Sequence, residues 1–411
     1  MDGDTTRTAR HIAVFVRSLE GGGGAERVML NLAQGFAGRG HRVDLIMGRI
    51  SGRFLDNLPD NVRVIELGSR SALGVLPAWP RLGSADMLAL LPLVLNPDGP
   101  RVLGAVPKLA RYLASARPDV LLCGLNYPNI AGLLAQRLAG ATLPVVITVH
   151  NHLSTAIAQS GRPRMRALPK LVARFFPRAA ATVAVSQGVA DDAQRLMGAA
   201  PGSVVRIYNP VIGDELSRSA AEATGDAWLD DAGPPVVLGA GKLKPQKDFE
   251  TLLRAFASLR KEREARLVIL GEGGEEPHLK ALAAELGVAD DLRLPGFVDN
   301  PYAYMARAGV FVLSSAWEGF GNVLVEAMAC GAPVVATDCP SGPAEILESG
   351  RYGRLVPVGD AEAMSAAIAE SLDDPGDPED RKKRAAEFSV GASADAYLAL
   401  FERLLGAEAG R

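Results

Sequence analysis

The chain has 411 residues, of which 48% are hydrophobic and 22% are charged, and its formal net charge is -3. This length favours two domains of about 200 residues each, and the composition excludes a disordered chain. The near-neutral charge gives no general attraction for nucleic acid, so any basic surface must be local.

The cysteines and the apolar runs limit the cellular setting. The three cysteines (Cys123, Cys330 and Cys339) lack CxxC spacing, which argues against a zinc site or a disulfide framework. The longest apolar run, residues 87–95, is too short to span a bilayer, and residues 1–10 lack the apolar centre of a signal peptide. We therefore expect a cytoplasmic protein, either soluble or peripheral on a membrane.

The first half of the chain alternates apolar strands with amphipathic helices, which is typical of a parallel sheet covered on both faces. The predicted strands are residues 11–17, 43–47, 119–123, 144–149, 182–186 and 204–208, and the predicted helices are 25–36, 108–116, 129–138 and 187–197. Residues 69–107 predict only loops and short helices. The glycines at 21–24 do not spell GxGxxG, and no acidic residue closes the second strand, which argues against a dinucleotide site.

A basic segment follows, in which cations recur every four residues and apolar side chains lie between them. The cations are Arg162, Arg166, Lys170, Arg174 and Arg178, and the apolar residues are Met165, Leu168, Leu171, Val172, Phe175 and Phe176. Such a helix can lie on an anionic membrane surface, or it can be an ordinary helix with a solvated face. The sequence leaves both interpretations open.

A polar, acidic and proline-bearing stretch at residues 213–235 indicates a domain boundary, after which the alternation restarts. We expect an N-terminal domain at 1–209, a second domain at 210–388 and a C-terminal segment at 389–411. The strands predicted in the second half are 236–240, 266–270, 292–294 and 310–313, and the helices are 249–259, 276–286, 302–308 and 392–405.

The most informative stretch is residues 314–331, which reads as a strand end, a glycine-rich loop and a helix. Glycines allow backbone amides to approach an anion, and a helix N-terminus adds unpaired N–H groups. Two carboxylates, Glu318 and Glu326, flank Gly319 and Gly321, and carboxylates accept hydrogen bonds from hydroxyls. The pattern favours a ligand that carries both phosphate and hydroxyl groups. For Glu326 alone, an ordinary structural glutamate is the simpler interpretation.

Glu318-x7-Glu326, continued by the segment 331–338, resembles the signature of the retaining glycosyltransferases of family 4 with the GT-B fold. The resemblance covers most of the chain, from Gly22 to Gly353. It implies an α/β fold with two Rossmann-like parallel-sheet domains that face a cleft, and a C-terminal helix that crosses back to the first domain.

The resemblance also assigns the site residues. Lys242 and Lys247 match cations that neutralise the departing diphosphate, although relatives usually carry arginine at the position of Lys242, and lysine lacks its bidentate fork. His150 matches a histidine that faces the donor sugar, and Glu318 and Glu326 match groups that bind sugar and ribose hydroxyls. The resemblance places the donor also against Gly271, Gly273, Phe297, Val298, Gly319, Phe320, Gly321 and Asn322, and assigns Gly22, Gly23 and Gly24 to a loop beside the acceptor and the phosphates.

The expected activity is the transfer of a hexose or N-acetylhexosamine from a UDP-sugar to a lipid-linked saccharide, without a cofactor and without a partner nucleic acid. A DxD pair occurs only at Asp2 and Asp4, in the polar N-terminal segment, so we expect no metal at the site. Two alternatives remain: an epimerase of the same fold that needs no acceptor, and a non-catalytic protein of glycan assembly. The expected location is the cytoplasm, with possible attachment to the inner face of the membrane through residues 162–178.

Overall fold

The computed structural model describes residues 9–18, 23–50, 58–59, 61–69 and 71–409, and these form two compact units. The first unit contains the described residues up to Val185, then Val189–Pro210 and the segment from Val390 onward. The second unit contains Val211–Ser389 together with Ser186–Gly188.

Each unit is built on a parallel sheet whose central strands are apolar and buried. The first sheet has the order β3-β2-β1-β4-β5-β6-β7, with β1 His11–Val16, β2 Arg42–Met47, β3 Val62–Glu66, β4 Val120–Gly124, β5 Val145–Val149, β6 Ala181–Ala184 and β7 Val204–Arg206. The second has the order β10-β9-β8-β11-β12-β13, with β8 Val236–Ala240, β9 Arg266–Leu270, β10 Leu292–Gly296, β11 Val310–Leu313, β12 Val334–Thr337 and β13 Arg354–Val356. Both orders reverse beside the first strand, and ligands bind outside the carboxyl ends of strands at such a reversal.

Helices connect the strands as the alternation predicts. The described helices are α1 Gly24–Ala37, α2 Trp79–Leu82, α3 Ser84–Val94, α4 Val106–Ala116, α5 Asn126–Ala139, α6 Leu153–Ala158, α7 Pro163–Phe175, α8 Gln187–Met197, α9 Leu216–Ala220, α10 Ala227–Asp230, α11 Phe249–Leu259, α12 Glu276–Glu285, α13 Pro301–Arg307, α14 Asn322–Ala329, α15 Pro343–Ile346, α16 Ala361–Asp373, α17 Pro378–Ala386 and α18 Val390–Ala409. The expected α/β class with two parallel sheets is confirmed.

The C-terminal helix α18 completes the core of the first unit. Phe36 of α1 packs against Tyr397 and Phe401, with ring centroids 6.3 and 5.6 Å apart, and all three rings are buried. Arg39 donates to both carboxylate oxygens of Asp395 at the edge of this contact. Edge-to-face and tilted aromatic pairs of this kind add to the burial of apolar area.

Several elements were not predicted from the sequence. The edge strand β3 has one buried residue among partly or fully exposed ones, and β13 has only three residues, so neither produces a continuous apolar run. The four-residue strand β12 is buried but was not predicted either. Residues 213–235 are not a free linker, because α9 and α10 lie within them and Trp228 packs under the guanidinium of Arg293, 3.9 Å from its ring centroid. The division between the two units falls between Pro210 and Val211.

The structure corrects one part of the membrane-binding interpretation, the idea that the apolar face of the basic segment meets lipid. Helix α7 forms, but its apolar residues Leu168, Leu171, Val172 and Phe175, together with Phe176 just beyond it, are all at most 1% exposed. They belong to the core of the first unit, so this face cannot enter a membrane. Two cations of the basic segment, Arg178 and Arg174, form ion pairs with the buried carboxylate of Asp86 in α3. Their hydrogen bonds hold the pKa of Asp86 below its usual range. In the described part of the chain, no helix is long and apolar enough to cross a bilayer.

Candidate active site

The loops that follow the strands of the second sheet meet at its carboxyl edge. The backbone N–H of Leu243 donates to the carbonyl of Glu272 at 2.9 Å, which ties the loop after β8 to the loop after β9. Gly271 N–H donates to Gly296 O at 2.8 Å, and Ala316 N–H donates to Gln246 O at 2.9 Å. The structure therefore brings the loops that carry Lys247, Gly271, Gly273, Val298 and Glu318 into one connected rim.

Two glycines are required by this close packing of loops. A Cβ atom at Gly271 would lie 2.0 Å from the carbonyl oxygen of Gly241, and a Cβ atom at Gly273 would lie 2.0 Å from that of Leu243. Gly271 also has a φ of +125°, which side-chain-bearing residues rarely adopt. The glycines thus keep the rim compact, whether or not their amides bind a ligand.

Lys247 and Glu318 form the central pair of this rim. The Lys247 ammonium donates to Glu318 Oε1 at 2.5 Å, and the Ser315 hydroxyl donates to the same oxygen at 2.7 Å. The side chains of Lys247 and Glu318 are 14% and 9% exposed, so both charges lie mostly out of water. Because both donors reach Oε1 and no described donor reaches Oε2, the second oxygen can accept a hydrogen bond from a ligand.

Neighbouring loops hold this carboxylate in place. The Ser341 hydroxyl donates to the backbone carbonyl of Glu318 at 2.7 Å, and the Thr337 hydroxyl donates to the carbonyl of Ser315 at 2.6 Å. The Ser314 hydroxyl donates to the carbonyl of Lys247 at 2.8 Å. Hydrogen bonds of this kind fix the backbone on both sides of the ion pair, which limits its motion.

The glycine-rich loop ends at α14, as the sequence predicts. Gly321 is the residue just before this helix and has a φ of +105°. Because glycine has no side chain, no side-chain cap covers the backbone N–H groups in the first turn of α14. Glu326 lies in the middle of α14 and is 6% exposed. Gly319 is buried and Asn322 is half-buried at the start of the helix.

The side chain of Phe320 is a core group, so its predicted contact with the donor would have to come from its backbone. Its ring is 2% exposed and packs edge-on against Phe388, with centroids 5.3 Å apart, so the side chain belongs to the core. By contrast, Phe297 is 44% exposed and Val298 is half-buried beside the rim. Lys242 is exposed, and its ammonium contacts no described carboxylate, which leaves its charge available.

The first unit carries its own polar group at the carboxyl end of β5. His150 follows that strand and is 9% exposed, and its Nε2 lies 2.7 Å from the hydroxyl of Thr148. Burial lowers the pKa of His150 to about 4, so the ring is neutral at pH 7. Among the described residues, no hydrogen-bond partner reaches His150 Nδ1.

The glycine loop of the first unit is described in part. Gly22 lies outside the described residues. Gly23 precedes α1 and Gly24 begins it, and the carboxylate of Glu26 lies back over Gly23, 2.4 Å from where a Cβ would stand. Any side chain at position 23 would therefore displace Glu26.

Ser315 and Thr148 are site residues that the sequence did not suggest. Ser315 lies three residues before Glu318, and Thr148 lies two residues before His150, so each could have been suspected from its spacing. Serine and threonine are common in all loops and strands, however, and only the hydrogen bonds distinguish these two. Among the described residues, no group of three or more His, Cys, Asp and Glu side chains could hold a metal ion.

Comparisons with known proteins agree with this geometry. Residues 22–214 match the model of Glycosyltransferase Family 4, and residues 224–388 match that of Glycosyl transferases group 1. Two parallel α/β units with a charged rim at the second sheet define a GT-B glycosyltransferase, and the chain belongs to family 4 of these enzymes.

Two of its relatives are glycosyltransferases, one for a diphospho-undecaprenol-linked saccharide and one of lipopolysaccharide core biosynthesis. It is 32% identical over 269 residues to the N-acetylgalactosamine-N,N'-diacetylbacillosaminyl-diphospho-undecaprenol 4-alpha-N-acetylgalactosaminyltransferase of Campylobacter jejuni, which covers 65% of this chain and 70% of the relative. It is 37% identical over 196 residues to LpsE of Rhizobium meliloti, a lipopolysaccharide core biosynthesis glycosyltransferase, covering 46% of this chain and 56% of the relative.

Solved structures show the same fold. HepE of Anabaena, crystallised with UDP, has a TM-score of 0.71 at 21% identity, over 96% of this chain and 100% of HepE. The sucrose-phosphate synthase of Thermosynechococcus elongatus has a TM-score of 0.75 at 21% identity, over 97% of this chain and 100% of that enzyme.

Proposed function

We propose that this glycosyltransferase moves a hexose or N-acetylhexosamine from a UDP-sugar to a lipid-linked saccharide, and that the anomeric configuration is retained. The observation that carries the proposal is the ion pair of Lys247 and Glu318 at the carboxyl edge of the second sheet. It places one ammonium and one free carboxylate oxygen side by side, which suits a ligand with both phosphate and hydroxyl groups.

In the proposed reaction, the bond between C1 of the sugar and the diphosphate oxygen breaks, and its electron pair stays on the phosphate. The acceptor hydroxyl attacks C1 from the same face, and its proton passes to the departing phosphate. The transition state resembles an oxocarbenium ion, and the main requirement is to stabilise negative charge on the leaving group.

Three groups can stabilise the negative charge on the leaving phosphate. The Lys247 ammonium has three N–H donors and uses one of them on Glu318, so two remain for phosphate oxygens. Lys242 adds an exposed cation from the same loop. The first turn of α14 adds backbone N–H groups, which favour an anion.

The carboxylates of Glu318 and Glu326 bind hydroxyl groups of the donor. Oε2 of Glu318 accepts from a hydroxyl of the transferred sugar, while Oε1 stays bound to Lys247 and Ser315. Glu326, on the buried side of α14, accepts from the ribose. The nucleotide is surrounded by Gly271, Gly273, Phe297, Val298 and the loop from Gly319 to Asn322. Gly22, Gly23 and Gly24 form a loop beside the acceptor and the phosphates, and His150 faces the donor sugar.

Relatives support the choice of donor and acceptor. The Campylobacter enzyme acts on a saccharide carried by diphospho-undecaprenol and forms an alpha linkage, and HepE binds UDP. These relatives support our choice of a UDP-sugar donor and a polyprenyl-linked acceptor for this chain. The cations Lys242 and Lys247 take the role that a divalent metal has elsewhere, so activity needs no added metal.

A peripheral position on the inner face of the cytoplasmic membrane is part of the proposal. Arg166 and Lys170 of α7 are exposed, and so is Arg162 just before it. Helix α3, which packs on α7, carries Leu88, which is 59% exposed, and Leu95 just beyond its end is 62% exposed. Cations that flank exposed leucines suit an anionic bilayer, where each cation adds about 1 kcal/mol.

The test of the reaction is a donor screen. Purified protein is incubated with individual UDP-sugars and GDP-sugars and a membrane extract, with and without EDTA, and released nucleotide is measured. We expect release from one UDP-sugar that depends on the extract and persists in EDTA, and a product whose anomeric configuration, read by NMR, matches the donor. Sugar interconversion without an acceptor would instead identify an epimerase, and strict dependence on added metal would contradict the assignment of the lysines.

Membrane attachment has its own test. Sedimentation with phosphatidylglycerol vesicles is measured for the wild type and for two variants. The first variant combines Arg162→Gln, Arg166→Gln and Lys170→Gln. The second is a control that combines Lys261→Gln and Lys383→Gln on the second unit. Binding that falls only in the first variant supports the proposal. Equal binding in both variants, or no binding by the wild type, would contradict it.

A further inference from the structure

Thr148 is the centre of a buried hydrogen-bond group in the first unit. Its side chain is fully buried in β5, and its hydroxyl oxygen lies 2.9 Å from the carbonyl oxygen of Cys123 and 2.7 Å from Nε2 of His150. The sulfur of Met29 lies further away, at 3.8 Å. None of these contacts was suggested by the sequence.

The single proton of this hydroxyl decides the state of the histidine. A carbonyl oxygen can only accept, so the 2.9 Å contact with Cys123 requires Thr148 to donate there. If Thr148 donated its proton to His150 instead, the Thr148 hydroxyl oxygen and the Cys123 carbonyl oxygen would lie 2.9 Å apart with no proton between them. The hydroxyl must therefore accept from His150, which places a proton on Nε2.

The other ring nitrogen leads to the same assignment. Nδ1 is buried, and no described group is within hydrogen-bond reach of it. A buried N–H without a partner is rarer and more costly than a buried acceptor without one. Burial also opposes the doubly protonated ring, since it lowers the pKa of His150 to about 4. A neutral ring with its proton on Nε2 agrees with the contact to Thr148, with the unpartnered Nδ1 and with the lowered pKa.

We propose that Thr148 is a positioning residue that holds His150 in the Nε2-protonated tautomer, so that Nδ1 accepts a hydrogen bond from a sugar hydroxyl. The part about the sugar rests on the proposed function. In this state His150 cannot donate to a phosphate oxygen through Nδ1 and cannot act as a general acid there. Its role is to recognise a hydroxyl by accepting its proton in a hydrogen bond.

The tautomer is measured directly by NMR on protein labelled with ¹⁵N-histidine. The chain has five histidines, and the signals of His150 are assigned by their loss in His150→Gln. Chemical shifts separate protonated from unprotonated ring nitrogens. At pH 7 and without any substrate, we expect the wild type and Thr148→Ser to show a protonated Nε2 and an unprotonated Nδ1. Thr148→Val is nearly isosteric and lacks the acceptor, so its His150 is expected to show a mixture of tautomers.

Two results would overturn the proposal: a wild-type His150 that carries its proton on Nδ1, or a Thr148→Val variant whose tautomer is unchanged. If Thr148→Val does not fold, the wild-type and Thr148→Ser spectra still decide the assignment. Because these spectra need no sugar nucleotide, they stand even if the proposed reaction fails.

Kinetics then connect the tautomer to function. With the UDP-sugar found in the donor screen, we expect roughly a tenfold lower kcat/KM in Thr148→Val, the typical effect of one lost hydrogen bond. Thr148→Ser should restore most of it. A Thr148→Val enzyme with a mixed tautomer and unchanged kcat/KM would contradict the role of Nδ1 in binding a sugar hydroxyl, while leaving glycosyl transfer itself intact.

Discussion

The ammonium nitrogen of Lys247 lies 2.5 Å from Oε1 of Glu318, although the two residues are 71 positions apart in the chain. One follows β8 and the other follows β11, and these strands are neighbours in the second sheet. Each member of the pair neutralises a charge that would otherwise be buried alone. The pair therefore belongs both to the stability of the second unit and to its chemistry.

Replacement of the lysine should affect both properties. Lys247→Met removes the cation and leaves the Glu318 carboxylate mostly buried without its charged partner, so we expect the free energy of unfolding to fall by about 3 kcal/mol. Under the proposed function Lys247 stabilises the leaving phosphate, so its loss should lower kcat by about 100-fold or more. Denaturant unfolding and steady-state kinetics measure the two effects.

The matched control for this substitution is Lys261→Met, at an exposed lysine just after α11. It should change neither property. Equal losses in both variants would show that the Lys247 ion pair has no special role.

The two glutamates of the signature should give different kinetic changes. Under the proposed function, Glu318→Ala removes the carboxylate that binds the transferred sugar, and we expect kcat to fall by about 100-fold. Glu326→Ala removes the proposed contact with the ribose, so the donor KM should rise by about tenfold with a smaller change in kcat. Kinetics at varied UDP-sugar concentration separate the two parameters, and Glu262→Ala, at an exposed glutamate, is the control. Unchanged kinetics in both signature variants would refute their assignment.

Buried His150 should make stability depend on pH. Its pKa is lowered to about 4 in the folded protein, from an ordinary value near 6.5, so between these values the unfolded chain binds a proton that the folded chain does not. Stability therefore falls as the pH falls through this window. From pH 7 to pH 5 we expect His150 to lower the free energy of unfolding by about 2 kcal/mol.

The measurement is urea unfolding at both pH values for the wild type and His150→Gln. Other groups, such as the carboxylates of Asp44 and Asp86 with their lowered pKa values, contribute equally to both proteins and cancel in the difference. The variant should lose less stability on acidification. An identical loss in both proteins would mean that His150 titrates normally.

Adjacent glycines of the loop after β9 provide a test of the rim packing. Gly273→Ala places a methyl group 2.0 Å from the Leu243 carbonyl, so the loops must separate, and we expect a loss of about 2 kcal/mol and a higher donor KM. Gly274→Ala meets no atom within 4 Å and should be neutral or slightly stabilising. Thermal unfolding of the two variants compares them, and equal melting temperatures would show that the rim tolerates the displacement.

Local pattern in the sequence was sufficient for most of the fold. Apolar runs between turn residues predicted ten strands that the structure contains, because a buried parallel strand must be apolar along its whole length. The same reasoning missed three strands: β3 and β13, which are short or half-exposed edge strands, and β12, a buried strand of only four residues. It also could not tell that the apolar face of α7 is covered by its own unit, since a helix with such a face looks the same whether protein or lipid covers it.

The sequence by itself determined the α/β alternation, the glycine-rich loop before α14, and the spacing of Glu318 and Glu326, because these depend on neighbouring residues and on backbone preferences. Only the tertiary structure decided that Lys247 and Ser315 share one oxygen of Glu318, that the Phe320 ring lies in the core, and that the Thr148 hydroxyl contacts Nε2 of His150. These contacts depend on strand order and on side-chain directions within a few tenths of an ångström. Residue spacing does not encode such quantities, because they arise when distant segments pack together.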